Sequence, residues 1–198
     1  MKKIYCREGL RIMNNGYGVS VVVCTYNSDW EKLKKTVLRF LSQKGVLFEI
    51  IVSDDGSKED YFDDLRRLFQ EYDFKDYTLI KHEMNVGTVK NMYGAILRAS
   101  GEYIFGSAPG DFAYDCWVLK SLYDFCKDGN KKMCFGNVVY YQDSKGTLVH
   151  GIKNNPMHMS LFSDNSHEAQ CENFFFGDFV CGVSFFRERD TAIKYFDK

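Results

Sequence analysis

The chain carries almost no net charge, with 26 Lys and Arg against 27 Asp and Glu leaving −1 at pH 7 over 198 residues. Without a basic footprint to track a phosphate backbone, nucleic acid is not an expected partner. Local basic patches do exist at Lys131-Lys132 and at Lys32, Lys34 and Lys35. No apolar run approaches the roughly 18 residues of a membrane-spanning helix, and the two opening lysines are not followed by a signal-peptide core. The protein is therefore expected to face the cytosol. The seven cysteines, Cys6, Cys24, Cys116, Cys126, Cys134, Cys171 and Cys181, are odd in number and scattered, with no CxxC pair. Reduced, mostly buried thiols are the expectation. The four histidines, His82, His150, His158 and His167, form no HExxH pattern, and no protein-built metal cage is visible. Disorder is excluded by 45% hydrophobic and 16% aromatic residues.

What is present is an alternation of two periods. Residues 19–24 are an apolar run of strand length, after which Trp30, Leu33, Val37, Phe40 and Leu41 fall at helical spacing. The unit repeats as a strand over 48–53 with a helical face of Tyr61, Leu65, Leu68, Phe69 and Tyr72. It repeats again as a strand over 77–81 with a helix presenting Val89, Met92, Tyr93, Ile96 and Leu97. A fourth strand over 102–107 precedes a helix over 117–126. Strands alternating with helices of this length predict right-handed crossovers and a mainly parallel α/β sheet covered on both faces. Beyond about residue 130 the pattern changes to a β-hairpin over 133–151 with its turn at 143–146, a polar irregular stretch over 154–173, and an aromatic strand-like run over 174–186. One domain over 1–198 is expected, with a ligand-binding half over 18–128 and a second half over 129–198.

In parallel sheets ligands sit beyond the carboxyl ends of the strands. That rule selects four loops: Thr25-Tyr26-Asn27, residues 54–58, residues 85–90, and residues 107–111. Asp54, Asp55 and Lys90 have the chemistry to accept from base and ribose donors and to meet phosphate charge. Each segment has a plainer reading. Asp54-Asp55-Gly56-Ser57 is also good turn and N-cap sequence, residues 85–87 also suit a turn before a helix, and Lys90 suits a solvated helix surface. Of the phenylalanines at 174–176, 185 and 186, sheet core is favoured over a sugar-stacking groove. Residue chemistry alone thus reaches an α/β domain with a polar ligand cleft.

The segments GVSVVVCTYN, FEIIVSDDGSKED and NVGTVKNMYGAILRASGEYI resemble, in order and spacing, the start of family 2 glycosyltransferases of GT-A fold. The likeness runs from residue 18 to about 115, and FVCGVSFFR resembles a later acceptor-side strand of that family. The resemblance implies a Rossmann-like GT-A sheet and an inverting transfer of a sugar from a nucleotide-sugar, a UDP-sugar, to a glycan or lipid-linked glycan in cell-surface polysaccharide synthesis. Residue by residue, it implies that Thr25 and Tyr26 lie along the uridine, with Asn27 beside them, and that Asp55 accepts from the uracil N–H, with Asp54 its neighbour. It further implies that Asn85 and Gly87 shape the loop before Lys90, which stands where many members carry an arginine. A cytoplasmic location at the inner face of the membrane is implied as well, with peripheral association through a further segment.

Two departures accompany the resemblance. The family places a cluster of carboxylates after the GEYI strand to hold Mg2+ or Mn2+, whereas here Ala108 and Gly110 stand where carboxylates are common and Asp111 is left as the expected metal ligand. Asp111 also reads as a turn residue, and Asp115 as helix surface. The family's general base is an acidic residue some tens of positions beyond the FFR-type strand, which places it past Lys198. Asp178 is the chain's own weaker candidate, with a turn or strand edge as its plainer reading. The rival functions are an idle nucleotide-sugar-binding module and a nucleotidyltransferase. The latter would open with a glycine-rich basic loop where Cys24-Thr25-Tyr26-Asn27 stands.

Overall fold

Every residue of β2 (Phe48–Asp54) is buried, and β1 (Val19–Thr25) is buried along nearly its whole length. Such apolar runs suit strands covered on both faces. The computed structural model describes residues 16–139, 152–153, 166–175 and 182–196, which divide into one unit of 1–134 with 186–198 and another of 135–185.

In the first unit β1 and β2 pair in parallel, as do β2 with β3 (Tyr77–Lys81) and β1 with β4 (Tyr103–Ser107). β8 (Phe185–Glu188) closes antiparallel on β4, with Tyr103 opposite Glu188 and Phe105 opposite Phe186. The sheet order is β3-β2-β1-β4-β8-β5, where β5 is Met133–Phe135. The mainly parallel α/β sheet expected from the sequence is therefore present. Its strand order reverses between β1 and β4, the place where such sheets open a ligand crevice.

Helix α1 (Trp30–Leu41) starts where the Asp29 side chain accepts from Lys32 N, and it buries Leu33, Thr36, Val37, Phe40 and Leu41. Together with α2 (Phe62–Glu71) and α4 (Val118–Asp128) it covers one face of the sheet. Phe69 stacks on Tyr77 at 4.2 Å between centroids and Phe186 on Tyr103 at 5.0 Å. Each wholly buried side chain of this class contributes about 1.5–3 kcal/mol.

The other face is covered by α3 (Thr88–Arg98) and α6 (Arg189–Phe196). Here the expected helical face is corrected. Val89 and Leu97 are exposed, whereas Asn91, Ala95 and Ile96 are buried. Alanine in the contact lets the helix lie close to the sheet, and Asn91 fits because it is bonded. Ser53 Oγ donates to Asn91 Oδ1 (2.5 Å), and Asn91 Nδ2 donates to Ser53 O (3.1 Å).

At the amino edge of the sheet, buried Glu49 accepts from Ser20 Oγ (2.6 Å), Ser100 N (2.6 Å) and Ser100 Oγ (2.8 Å). This ties the α3–β4 turn beneath the strands, far from their carboxyl ends.

The later chain differs from its sequence reading. β5 joins the main sheet instead of the expected hairpin, while β6 (Val138–Val139) and β7 (Ile152–Lys153) pair antiparallel as the arms of that hairpin would; residues 140–151, with its turn, lie outside the described residues. Within the stretch expected to be irregular, α5 (His167–Phe175) forms, its first turn capped by Ser166 Oγ accepting from Ala169 N (3.2 Å). The aromatic run is thus not one strand. It ends α5, resumes in a short 3-10 turn (Gly182–Ser184), and becomes β8, where Phe186 is wholly buried.

Candidate functional site

Three loops leaving the carboxyl ends of β1, β2 and β3 are sewn together by side chains of the predicted residues. Thr25 O accepts from Asp55 N at 2.9 Å. Asn27 takes a left-handed backbone (φ 46), donates its N–H to Ser57 Oγ (2.7 Å) and accepts from Lys58 N through Oδ1 (3.0 Å). Asp54 Oδ2 accepts from Ser57 N (3.0 Å) and its Oδ1 from Ser57 Oγ, while Asp54 O accepts from His82 N (2.9 Å).

Asp55 reaches across to the third loop. Its Oδ1 accepts from Val86 N (2.7 Å) and its Oδ2 from Gly87 N (3.1 Å), the latter N–H being shared with Asn85 Oδ1 (3.1 Å). Gly87 is the N-cap of α3 and offers no side-chain cap, so the Asp55 carboxylate supplies the negative group there. The loops are pressed close: a Cβ on Gly56, whose φ is +75, would lie 2.5 Å from Met84 C. Asp54 and Asp55 are 5% and 3% exposed, and their carboxylates build the loop joint, as the turn reading of this segment expects.

Two predicted residues point outward from this joint. Tyr26 is 51% exposed, and Lys90 is exposed on the first turn of α3, where no acidic side chain stands. Asn27, Ser57, Lys58 and Glu59 line an open depression. Each Asp55 oxygen holds one N–H and retains a lone pair for a further donor.

On the α3 face below the joint, burial first and then the Asp55 charge push the Cys24 thiol up to about 12, with Arg187 acting in the opposite sense. Arg187, opposite Ile104 on β8, has its guanidinium 5.4 Å from the Phe196 ring centroid, and burial lowers its pKa from the ordinary value. Cys24, Asp55 and Arg187 therefore share one electrostatic neighbourhood.

Asp111 lies in the turn after β4, the strand paired with β1. Its Oδ2 accepts from Ala108 N (3.0 Å), and burial raises its pKa, partly offset by that bond. Asp115, before α4, accepts from Trp117 N (2.7 Å). Asp178 lies outside the described residues. No group of three His, Cys, Asp or Glu able to hold a metal exists among the described residues. The divalent cation implied by the fold family would find Asp111 as its carboxylate here: Oδ2 accepts from Ala108 N while Oδ1 keeps its lone pairs, and one carboxylate together with a donor's phosphate oxygens is a set that Mg2+ uses.

Four residues with roles here went unassigned in the sequence reading. Ser57 joins the first two loops, Thr36 grips the β4 turn, Asn91 bonds α3 to β2, and Arg187 charges the α3 face. Asn91 had a signal, a polar residue inside NVGTVKN at a position that α3 buries. Ser57 had one as well, as the last residue of the Asp54-Asp55-Gly56-Ser57 turn sequence, whereas Thr36 had none.

The model of glycosyl transferase family 2 matches residues 20–191, and the chain belongs to that family. Its fold is that of GT-A glycosyltransferases. Staphylococcus aureus TarS 1–349 superposes with a TM-score of 0.61 at 16% identity, covering 90% of this chain and 49% of that one. The TarS complex with UDP-GlcNAc gives 0.55 at 21%, covering 66% and 36%. Mannosyltransferase PcManGT from Pyrobaculum calidifontis, in complex with GDP-Man and Mn2+, gives 0.54 at 18%, covering 60% and 34%. The chain thus spans between a third and a half of the length of these solved structures. No curated protein sequence matches it. Among the described residues no helix is long and apolar enough to cross a membrane.

Proposed function

We propose that this chain holds a nucleotide-sugar, a UDP-sugar, at the joint of the β1, β2 and β3 loops and transfers the sugar with inversion to a glycan or lipid-linked glycan. The observation that carries the reading is the Asp55 carboxylate binding Val86 N and Gly87 N, which fixes the 85–87 loop against the β2 end at the carboxyl edge of the sheet. Family membership supports it, and so do the solved TarS complexes with UDP and UDP-GlcNAc.

In this reading Tyr26, exposed at the rim, stacks on the base, and Asp55 accepts the uracil N–H with its remaining lone-pair capacity. Thr25 and Asn27 border the nucleoside, with Asp54, Asn85 and Gly87 holding the loops. Lys90 meets the phosphates as a point charge. The acceptor hydroxyl attacks the anomeric carbon as a carboxylate general base takes its proton, and the bond from that carbon to the nucleoside diphosphate breaks on the opposite face. Residues 18–128 form the donor half and 129–198 belong to the acceptor side. Cell-surface polysaccharide is the product class, made at the cytoplasmic face of the membrane.

Calorimetric titration with UDP, GDP and CMP tests the reading. UDP-selective binding, followed by UDP release from a UDP-sugar with acceptor, is the expected result. Binding without transfer or hydrolysis selects the idle binding module, and no binding of any nucleotide removes the donor site.

A further inference from the structure

The first turn of α3 is weakly specified by its own sequence. Thr88 and Val89 are β-branched and exposed, Gly87 at the N-cap offers no side-chain acceptor, and no acidic residue stands in the turn. The turn therefore depends on ties to the sheet, and the end of β2 supplies two. Asp55, just past the strand, binds the preceding loop at Val86 N and Gly87 N. Two positions earlier, wholly buried Ser53 exchanges a pair of hydrogen bonds with buried Asn91: Ser53 Oγ donates to Asn91 Oδ1 (2.5 Å), and Asn91 Nδ2 donates to Ser53 O (3.1 Å). Asn91 N also donates to Gly87 O (3.0 Å), closing the turn.

The other buried residues of α3, Ala95 and Ile96, make apolar contacts, which are non-directional and leave the helix free to rotate on the sheet. A reciprocal pair of hydrogen bonds is directional, so it fixes the rotation of the helix as well as its contact. Lys90 precedes Asn91 and lies about 100° round the helix from it, which brings it to the exposed side of the same turn. We infer that Asn91 is a positioning residue for donor binding: its bonds to Ser53 set the rotation of the first turn of α3, and with it the place from which Lys90 meets the donor's diphosphate. This inference rests on the donor reading above, which assigns Lys90 to the phosphates.

The test is a double-mutant cycle on the full chain, with UDP affinity read by calorimetry and the urea midpoint recorded for each variant. Asn91→Leu nearly keeps the volume and removes both bonds. Ser53→Ala removes only the Oγ bond and is the milder change should the leucine variant fail to fold. The expected result is UDP binding weakened about fivefold by Asn91→Leu and about threefold by Ser53→Ala, both effects shrinking to less than about 1.5-fold in a Lys90→Gln background. A lowered urea midpoint with native UDP affinity, or an equal loss of affinity in both backgrounds, overturns the inference and leaves the donor site standing. Absence of UDP binding by the native chain removes the donor reading and this inference with it.

Discussion

Replacing Asp55 by alanine removes the acceptor of two backbone N–H groups, Val86 and Gly87. Hydrogen bonds to a charged group contribute about 1.5–3 kcal/mol each when fully buried. Val86 and Gly87 are half-buried, so water recovers part of each bond. A total loss of about 2–3 kcal/mol follows, roughly a 30- to 150-fold fall in the folding constant. Asp55→Asn keeps one oxygen acceptor but turns an amide toward a backbone donor, and should lose about half as much. Urea unfolding monitored by circular dichroism reads both values from the midpoint at unchanged slope. A shift of less than about 0.5 kcal/mol for Asp55→Ala would refute the claim that this carboxylate holds the 85–87 loop. UDP affinity measured on the same folded variant separates the two roles, because the direct uracil contact predicts a binding loss in Asp55→Asn larger than its stability loss.

Gly56→Ala should lower stability by more than about 1 kcal/mol in the same urea assay, because φ +75 is strained for alanine and its Cβ meets Met84 backbone at 2.5 Å. Glu49→Ala strands the buried Ser20 Oγ donor, while water can reach the exposed Ser100 donors, and should cost about 1–3 kcal/mol without changing UDP affinity, since it lies at the opposite edge of the sheet. Lys90→Gln should weaken UDP binding about tenfold with little effect on thermal stability, and an unchanged affinity by calorimetry would remove its phosphate role. Iodoacetamide at neutral pH should label exposed Cys171 and spare Cys24, whose thiol is pushed up to about 12 by burial and then by Asp55. That raised value means the Cys24 contribution to stability is complete below the unfolded thiol's pKa of about 8.5 and is lost as pH rises toward 12.

The βα alternation was legible because β1, β2 and β4 are apolar runs of strand length, and the α1 and α2 faces obey the helical period. The carboxyl-edge rule then selected four loops, three of which the structure joins by hydrogen bonds. The period failed at α3, where Val89 and Leu97 are apolar yet exposed and the buried contact is made by Asn91 and Ala95, residues a hydrophobicity pattern passes over. The bonding role of Asp55 was not legible, because a carboxylate reaching N–H groups 31 and 32 positions away leaves no local pattern. Thr36 gripping the turn at Asp111 is a contact across 75 positions of the same kind. Helix α5 was missed because its mixture of His, Gln, Asn and Phe has no clear periodic face.

Hydrogen exchange on the full chain with and without UDP tests the donor site most directly. The account predicts slowed exchange confined to the amides of residues 25–27, 54–58 and 85–90. Protection elsewhere with these loops unchanged, under conditions where UDP is shown to bind, would contradict it.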